Sequence, residues 1–133
     1  MRVKRLHAAN LSYDAHVGTT GTFGTGNHQF DGPFDVALSP DGAYFFVSEY
    51  WNNRVKKHSA TGAMAYADKW GSTGSGDGQF NNPTGIAVDR VSGAIYVSEN
   101  GNDRFQKFDS SGGFVYAVGS AGNVKPIFCF RAV

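Results

Sequence analysis

The stretch QFNNPTGIAVDRVSGAIYVSENGNDRFQKF, residues 79–108, decides the fold because an earlier part of the chain repeats it. Residues 29–58 read QFDGPFDVALSPDGAYFFVSEYWNNRVKKH, and Val47–Glu49 corresponds to Val97–Glu99. Self-similarity at a period of roughly 20–50 residues indicates that one structural unit is stacked on copies of itself. The fold must therefore be built from repeats.

Each copy divides into four strand-like runs, which are separated by clusters of Gly, Pro, Asn, Asp and Ser. Aromatic and β-branched residues in such short runs favour strands over helices. Four short antiparallel strands every ~40–50 residues are typical of a β-propeller blade. The predicted strands are Phe34–Leu38, Tyr44–Glu49, Arg54–His58 and Met64–Trp70 in the first copy, and Thr84–Asp89, Ala94–Glu99, Arg104–Phe108 and Phe114–Val118 in the second.

Partial copies flank the two full ones. Arg2–Arg5 resembles Arg54–Lys57, and Gly119–Gly122 restarts a glycine-rich loop. We therefore predict an all-β chain, a partial β-propeller of about 2.75 four-stranded antiparallel blades. The single predicted domain, 1–133, consists of a partial blade (1–17), two blades (18–70 and 71–118) and the start of a further blade (119–133).

Composition and charge argue against several classes of function. Lys and Arg number 12 against 11 Asp and Glu, which gives a formal net charge of +1 and none of the basic excess of a nucleic-acid-binding domain. We find no stretch near the ~20 apolar residues of a membrane span and no signal peptide. The cytoplasm is therefore the default expectation, with no membrane partner. Cys129, the single cysteine, cannot form an intrachain disulfide.

The second copy resembles the NHL-repeat family. The resemblance rests on GSGDGQFNNPTGIAVD at residues 74–89, IYVSE at 95–99 and NDRFQKF at 102–108. Members of this family are typically six-bladed β-propellers. They include protein- and RNA-binding domains, scaffolds and a minority of enzymes, such as a zinc-dependent amidating lyase. The resemblance implies a fold and leaves the function open, because one fold hosts many functions.

Asn52, Arg54 and their counterparts Asn102 and Arg104 carry the motif that names the family. Recurrence in each blade favours a structural role, because a ligand site rarely needs the same residue at every rotation. We expect the asparagine to shape a turn and the arginine to bond loop carbonyls or the glutamate that ends the second strand. The predicted structural motif is Pro33, Asn52, Arg54, Pro83 and Arg104.

Neither a metal site nor a catalytic constellation stands out. The four histidines, His7, His16, His28 and His58, lack the paired spacing of a zinc site. The glycine-rich loops lack the lysine of a phosphate-binding loop, and no Gly-x-Ser-x-Gly elbow is present. We therefore expect no catalytic residue, no metal and no cofactor.

The pair Tyr50-Trp51 is the most individual feature, because the second copy has Asn100-Gly101 in its place. It falls in the loop between the second and third strands, on the face where propellers usually bind. Adjacent aromatics there can stack on a ligand or anchor a partner, whereas packing against a blade or a subunit is an equal alternative. The candidate binding residues are His28, Tyr50, Trp51, Asn100 and Asn102.

The expected function is that of a non-enzymatic binding or scaffold module for a protein or small-molecule ligand, and nucleic acid is not expected. The alternative is a metal-dependent lyase or lactonase-like hydrolase with its site in the central channel, near His28. We also expect the chain to bind itself, because two full blades leave outer faces uncovered. Ile127–Arg131 would then complete a hybrid blade with Arg2–Leu6 and Ser12–Val17 of the next copy. Two chains would give about six blades, and a trimer ranks second.

Overall fold

The structure is a computed structural model that describes residues 1–6, 13–18 and 22–120. Within these ranges the chain forms ten strands and no helix, so no described helix could cross a membrane. The strands are β1 (Arg2–Leu6), β2 (Tyr13–Gly18), β3 (Pro33–Leu38), β4 (Tyr44–Glu49), β5 (Arg54–Ser59), β6 (Tyr66–Trp70), β7 (Pro83–Val88), β8 (Ile95–Glu99), β9 (Arg104–Phe108) and β10 (Phe114–Gly119).

Two four-stranded antiparallel sheets in simple meander order dominate the fold. Strands β3 to β6 form the first blade, β7 to β10 form the second, and β1 pairs with β2 in a separate two-stranded sheet. Pro33 and Pro83 are the first residues of β3 and β7, a position in which the missing N–H is tolerated. Strands β3 and β4 both contact β7, so the blades lie against each other. The predicted all-β class and four-stranded antiparallel blades are confirmed.

The predicted strand bounds differ most at Met64, which we expected to begin a strand. The strand begins at Tyr66 instead. Met64 has a φ of 53°, and its N–H donates to the carbonyl of Thr61 at 3.2 Å, so it closes a turn. Its side chain is nonetheless buried, which explains why an apolar residue stands there. The predicted strand Ile127–Arg131 lies outside the described residues.

An apolar core fills the space between the two blades. Phe46 of β4 and Val55 of β5 form one cluster with buried side chains of β7, β8 and β9 and with Phe80, which precedes β7. Full burial of one such side chain stabilises the folded state by about 1.5–3 kcal/mol, so this interface is the main source of cohesion between the blades. The buried members are Phe46, Val55, Phe80, Ile86, Ile95, Val97 and Phe108.

A buried carboxylate connects the loops of the first blade. Glu49 is fully buried and accepts hydrogen bonds from Arg54 Nε at 2.6 Å, Asn52 Nδ2 at 2.7 Å and the N–H of Asp31 at 3.1 Å. Arg54 also donates to three carbonyls within residues 25–29. These bonds fasten the loop before β3 to the turn between β4 and β5.

The second blade repeats the arrangement around Glu99. This carboxylate accepts hydrogen bonds from Arg104 Nε at 2.7 Å, Asn102 Nδ2 at 2.7 Å and the N–H of Asn81 at 3.0 Å. Removing one partner of a buried ion pair typically costs about 3–5 kcal/mol, because a charge is left without compensation. The asparagine and arginine of the repeat motif therefore hold the loops in place.

Lys56 is a buried cation beneath the loops of the first blade. Its ammonium donates to the carbonyl of Gln29, lies 3.9 Å from Glu49 Oε2 and stands 3.6 Å from the centre of the Phe30 ring. Loss of hydration on burial lowers the pKa of Lys56 from its usual 10.5 to about 8, although Glu49 opposes the shift. Burial therefore destabilises the charged form of the Lys56 side chain relative to its neutral form.

Gln106 occupies the same position in the second blade and carries no charge. Its amide donates to the carbonyl of Gln79 at 2.7 Å and to Glu99 Oε2 at 2.9 Å. A neutral amide can therefore satisfy the same loop carbonyl that the ammonium of Lys56 satisfies.

We predict that Lys56→Gln raises the free energy of unfolding by on the order of 2 kcal/mol near pH 7, and that this gain fades as the pH rises from 8 to 10.5. The folded-state pKa of Lys56 lies below the unfolded one, so the unfolded chain binds more protons in this window. The wild type therefore gains stability with pH, whereas the variant lacks this contribution. Urea unfolding of both proteins across this range measures the difference.

The reverse substitution, Gln106→Lys, is the control and should introduce the same pH dependence into the second blade. If the difference in free energy of unfolding between the wild type and Lys56→Gln does not change from pH 7 to 10.5, the lowered pKa of Lys56 is contradicted.

Candidate functional site

Four loops lie at the end of the blades where β3 and β7 begin. The meander order brings the loops before the first strands to the same end as the turns between the second and third strands. Together these loops, residues 22–32, 50–53, 71–82 and 100–103, are called the loop face. The hydrogen bonds of Glu49 and Glu99 join them in pairs, so the loop face has a fixed backbone.

Large aromatic rings are exposed on and beside the loop face. Trp51 is 63% exposed and Phe23 is 65% exposed. The rings of Tyr50 and Trp51 meet edge to face at 4.7 Å, and Tyr50 stacks against Phe34 at 6.1 Å. Phe34, Tyr50 and Trp51 are called the aromatic cluster. Within it Tyr50 is half-buried, whereas Trp51 exposes most of its surface to solvent.

Gly32 makes room for the tryptophan. A Cβ atom at this position would lie 2.6 Å from Trp51 Cδ1, closer than any side chain permits. The N–H of Tyr50 donates to the carbonyl of Gly32 at 2.8 Å, which holds the two loops together. The ring of Trp51 therefore lies directly on the glycine backbone.

In the second blade the small and the large residue of this contact are exchanged between the two loops. Asn82 stands at the position of Gly32 with a φ of 54°, close to the 63° of the glycine. Gly101 stands at the position of Trp51, and its missing side chain leaves room for Asn81. The backbone conformation is similar at this position in both blades, and only the first blade carries an exposed aromatic there.

The predicted binding residues occupy different environments. Trp51, His28 and Asn100 are exposed on the loop face, and Tyr50 is half-buried beside them. Asn102 is buried, and its amide donates to the carbonyl of Gly74 at 2.9 Å as well as to Glu99, so it belongs to the framework beneath the surface. Sequence reasoning missed Gly32, Phe34 and Phe23. Gly32 and Phe34 differ from Asn82 and Thr84 in the second copy, and this difference was the signal that could have revealed them.

The loop face is acidic. Its residues include Asp31, Asp77 and Asp103 and contain no Lys or Arg. The cations beneath it, Arg54, Arg104 and Lys56, are buried and hydrogen-bonded, and Lys69 donates from β6 to Asn27 Oδ1 at 3.1 Å. The Met1 ammonium also donates to the carbonyl of Thr22 at 3.0 Å. The surface therefore presents three carboxylates, two exposed cations and the aromatic rings.

The described histidines lie in different environments. His28 is exposed, whereas His58 is buried against Phe45, and its Nδ1 lies 3.1 Å from the carbonyl oxygen of Met64. Burial lowers the pKa of His58, which favours the neutral ring. Among the described residues no three His, Cys, Asp or Glu side chains form a group that could hold a metal ion. His7 and Cys129 lie outside the described residues, and the side chain of His16 on β2 is likewise not described.

A cleft of about 420 Å³ lies at the opposite end of the blades from the loop face. Tyr44, Lys57 and Ser110 are among its lining residues, and the ammonium of Lys57 stands 4.0 Å from the centre of the Tyr44 ring. None of the predicted binding residues lines this cleft.

Three solved structures illustrate the likeness of this chain to known folds. A gluconolactonase from Xanthomonas campestris is 26% identical, with a TM-score of 0.53, over 71% of this chain and 30% of that chain. Hydrazine synthase from Kuenenia stuttgartiensis is 19% identical (TM-score 0.56; 77% of this chain, 26% of that one). Regucalcin, a calcium-binding protein from Agrobacterium tumefaciens, is 19% identical (TM-score 0.50; 71% and 31%). The chain thus spans about a third or less of each of these proteins.

The sequence profile of the NHL repeat matches residues 80–108, which run from Phe80 before β7 to the end of β9. No curated protein sequence matches the chain. The matched segment is the stretch on which the resemblance rested, and it folds into three strands of a four-stranded blade. The repeat match and the blades together confirm that the chain is consistent with the NHL-repeat β-propeller family.

Proposed function

We propose that the chain is a binding or scaffold module without catalytic activity, which recognises its ligand or partner through the loop face. The observation that carries the proposal is the position of Trp51, which is 63% exposed and lies on Gly32. Because most of the Trp51 ring is exposed to solvent, its packing within the chain contributes little to the stability of the fold. Exposed aromatic clusters on fixed backbones commonly mark interaction sites, and Trp and Tyr are enriched among the residues that dominate binding energy.

The same proposal includes assembly from more than one copy of the chain. Phe34, Val36 and Leu38 of β3 point to one side of the first blade and are 49–50% exposed. Val3 of β1 packs against a neighbouring cluster on this blade, so the β1–β2 pair covers only part of the face. An apolar row on an inner strand favours a covering partner.

The internal repeat indicates which surface would cover this row. At the equivalent positions in the second blade, Ile86 and Val88 pack against Ala37 and Phe46 of the first blade. A second copy can offer β-strands of the same kind, because its own outer blade face repeats the surface that already packs in this way. Head-to-tail association of this type closes into a ring, and we favour two chains over three.

A second candidate is a lactonase-like or lyase-like enzyme with a metal in the central channel. The likeness to a gluconolactonase at 26% identity favours it. Metal analysis of the purified protein discriminates between the candidates, because stoichiometric zinc or calcium would favour the enzyme.

We predict that Trp51→Ala changes the free energy of unfolding by less than about 1 kcal/mol, because the ring is mostly exposed. Phe46→Ala, which truncates a ring 3% exposed in the core between the blades, is the control, and it should cost about 3–5 kcal/mol. Chemical denaturation of the three proteins gives both values. Equal losses for the two variants would mean that Trp51 is a packing residue and would contradict the proposed binding role.

We predict that the protein is a dimer at micromolar concentration, with a molar mass near twice 14.3 kDa by light scattering or sedimentation. Val36→Lys should shift it toward the monomer, because a charged side chain then replaces an apolar one in the row. Val91→Lys, at a position that is 95% exposed, should leave the dimer intact. Deletion of 123–133 should also weaken association. A well-folded wild-type monomer would contradict the assembly proposal.

A further inference from the structure

We propose that the aromatic cluster of the loop face binds a cationic group, and that the partner is a protein segment rich in lysine or arginine. The inference rests on the proposed binding role and goes further, because it names the chemistry of the partner. It depends on two independent properties of the same surface, namely its charge and the exposure of its rings.

The charge of the loop face selects a positive partner. Asp31 directly precedes Gly32, the residue on which Trp51 lies, and the loop face contributes no lysine or arginine of its own. The cations beneath it, Arg54, Arg104 and Lys56, are buried and bonded to carbonyl oxygens or to the buried glutamates. Two exposed cations lie at its edge, where the Met1 ammonium donates to the carbonyl of Thr22 and Lys69 donates to Asn27 Oδ1. The charges of the buried cations are compensated, and the aspartates of the loop face, Asp31, Asp77 and Asp103, outnumber the two exposed cations at its edge. A polyanion such as RNA would meet carboxylates on this surface, which opposes its binding.

The exposed rings suit a cation chemically. The face of an aromatic ring carries negative electrostatic potential and attracts an ammonium or guanidinium group, and tryptophan does so most strongly. The chain uses this contact internally, because Lys56 lies 3.6 Å from the centre of the Phe30 ring and Lys57 lies 4.0 Å from that of Tyr44. Within the cluster, the Trp51 ring packs edge to face with Tyr50 and lies on Gly32, which restricts its orientation before a ligand arrives.

The second blade shows which residues create the site. Asn81 stands in place of Asp31, Asn82 in place of Gly32 and Gly101 in place of Trp51. The second blade therefore carries neither the carboxylate nor the ring at these positions, although it has the same backbone framework. Substitutions toward the second blade remove the binding chemistry with the least disturbance to the fold.

The test uses the full chain labelled with 5-fluorotryptophan, because Trp51 and Trp70 are its two tryptophans and give two fluorine resonances. Acetylated tetralysine amide is the probe, and tetraglutamate, maltotriose and tetrauridylate are matched alternatives. We expect tetralysine to shift the Trp51 resonance and leave that of Trp70 in place. The affinity should fall as salt is raised, because exposed charges are screened.

Three variants sharpen the test. Asp31→Asn and Gly32→Asn should each weaken tetralysine binding by about two- to fivefold, the first through charge and the second through displacement of the ring. Asp68→Asn, on the exposed surface of β6, should leave it unchanged. A Trp51 resonance that does not move with tetralysine overturns the inference. A shift caused by maltotriose or tetrauridylate instead also overturns it, but leaves the loop face as a binding surface.

Discussion

The buried carboxylates of Glu49 and Glu99 hold the loops at one end of both blades in position. Each accepts hydrogen bonds from an arginine, an asparagine and a backbone N–H, and each thereby joins two loops that are far apart in sequence. The network is costly to leave incomplete, because a buried charge without partners is strongly unfavourable. It therefore fixes the ends of the strands and the course of the loop face at the same time.

Because the hydrogen-bond network of the buried glutamate is the same in both blades, other positions can differ between them. Beneath the loops, Lys56 of the first blade replaces Gln106 of the second, at the expense of burying a charge. On the loop face, the first blade exposes Trp51 where the second has Gly101. Differences between copies of one repeat, on an unchanged backbone, separate what the fold requires from what a binding surface adds. The aromatic cluster is such a difference, and this is the basis of its proposed binding role.

Much of the fold was predictable, because turn residues and alternating apolar runs recur in both copies. The repeat gave the four strands of each blade and pointed to the structural role of Arg54. It did not foresee the turn at Met64, since an apolar residue in a positive-φ turn looks the same in sequence as one in a strand. The burial of Lys56 was missed as well, because lysine is usually solvent-exposed. Gly32 and Trp51 lie in different loops and touch in the folded chain. The repeat shows which positions are equivalent in the two blades, but it does not show which residues of one blade touch each other.

We infer that the loop-face aromatics of the first blade are additions to a framework that does not need them. The most direct test is the free energy of unfolding of a variant that carries the second blade's residues, with Gly32→Asn, Tyr50→Asn and Trp51→Gly combined. We expect a value within about 1 kcal/mol of the wild type, because Asn82 and Gly101 already fit a similar backbone at these positions. A loss of about 3 kcal/mol or more, the cost of truncating a core aromatic, would contradict it.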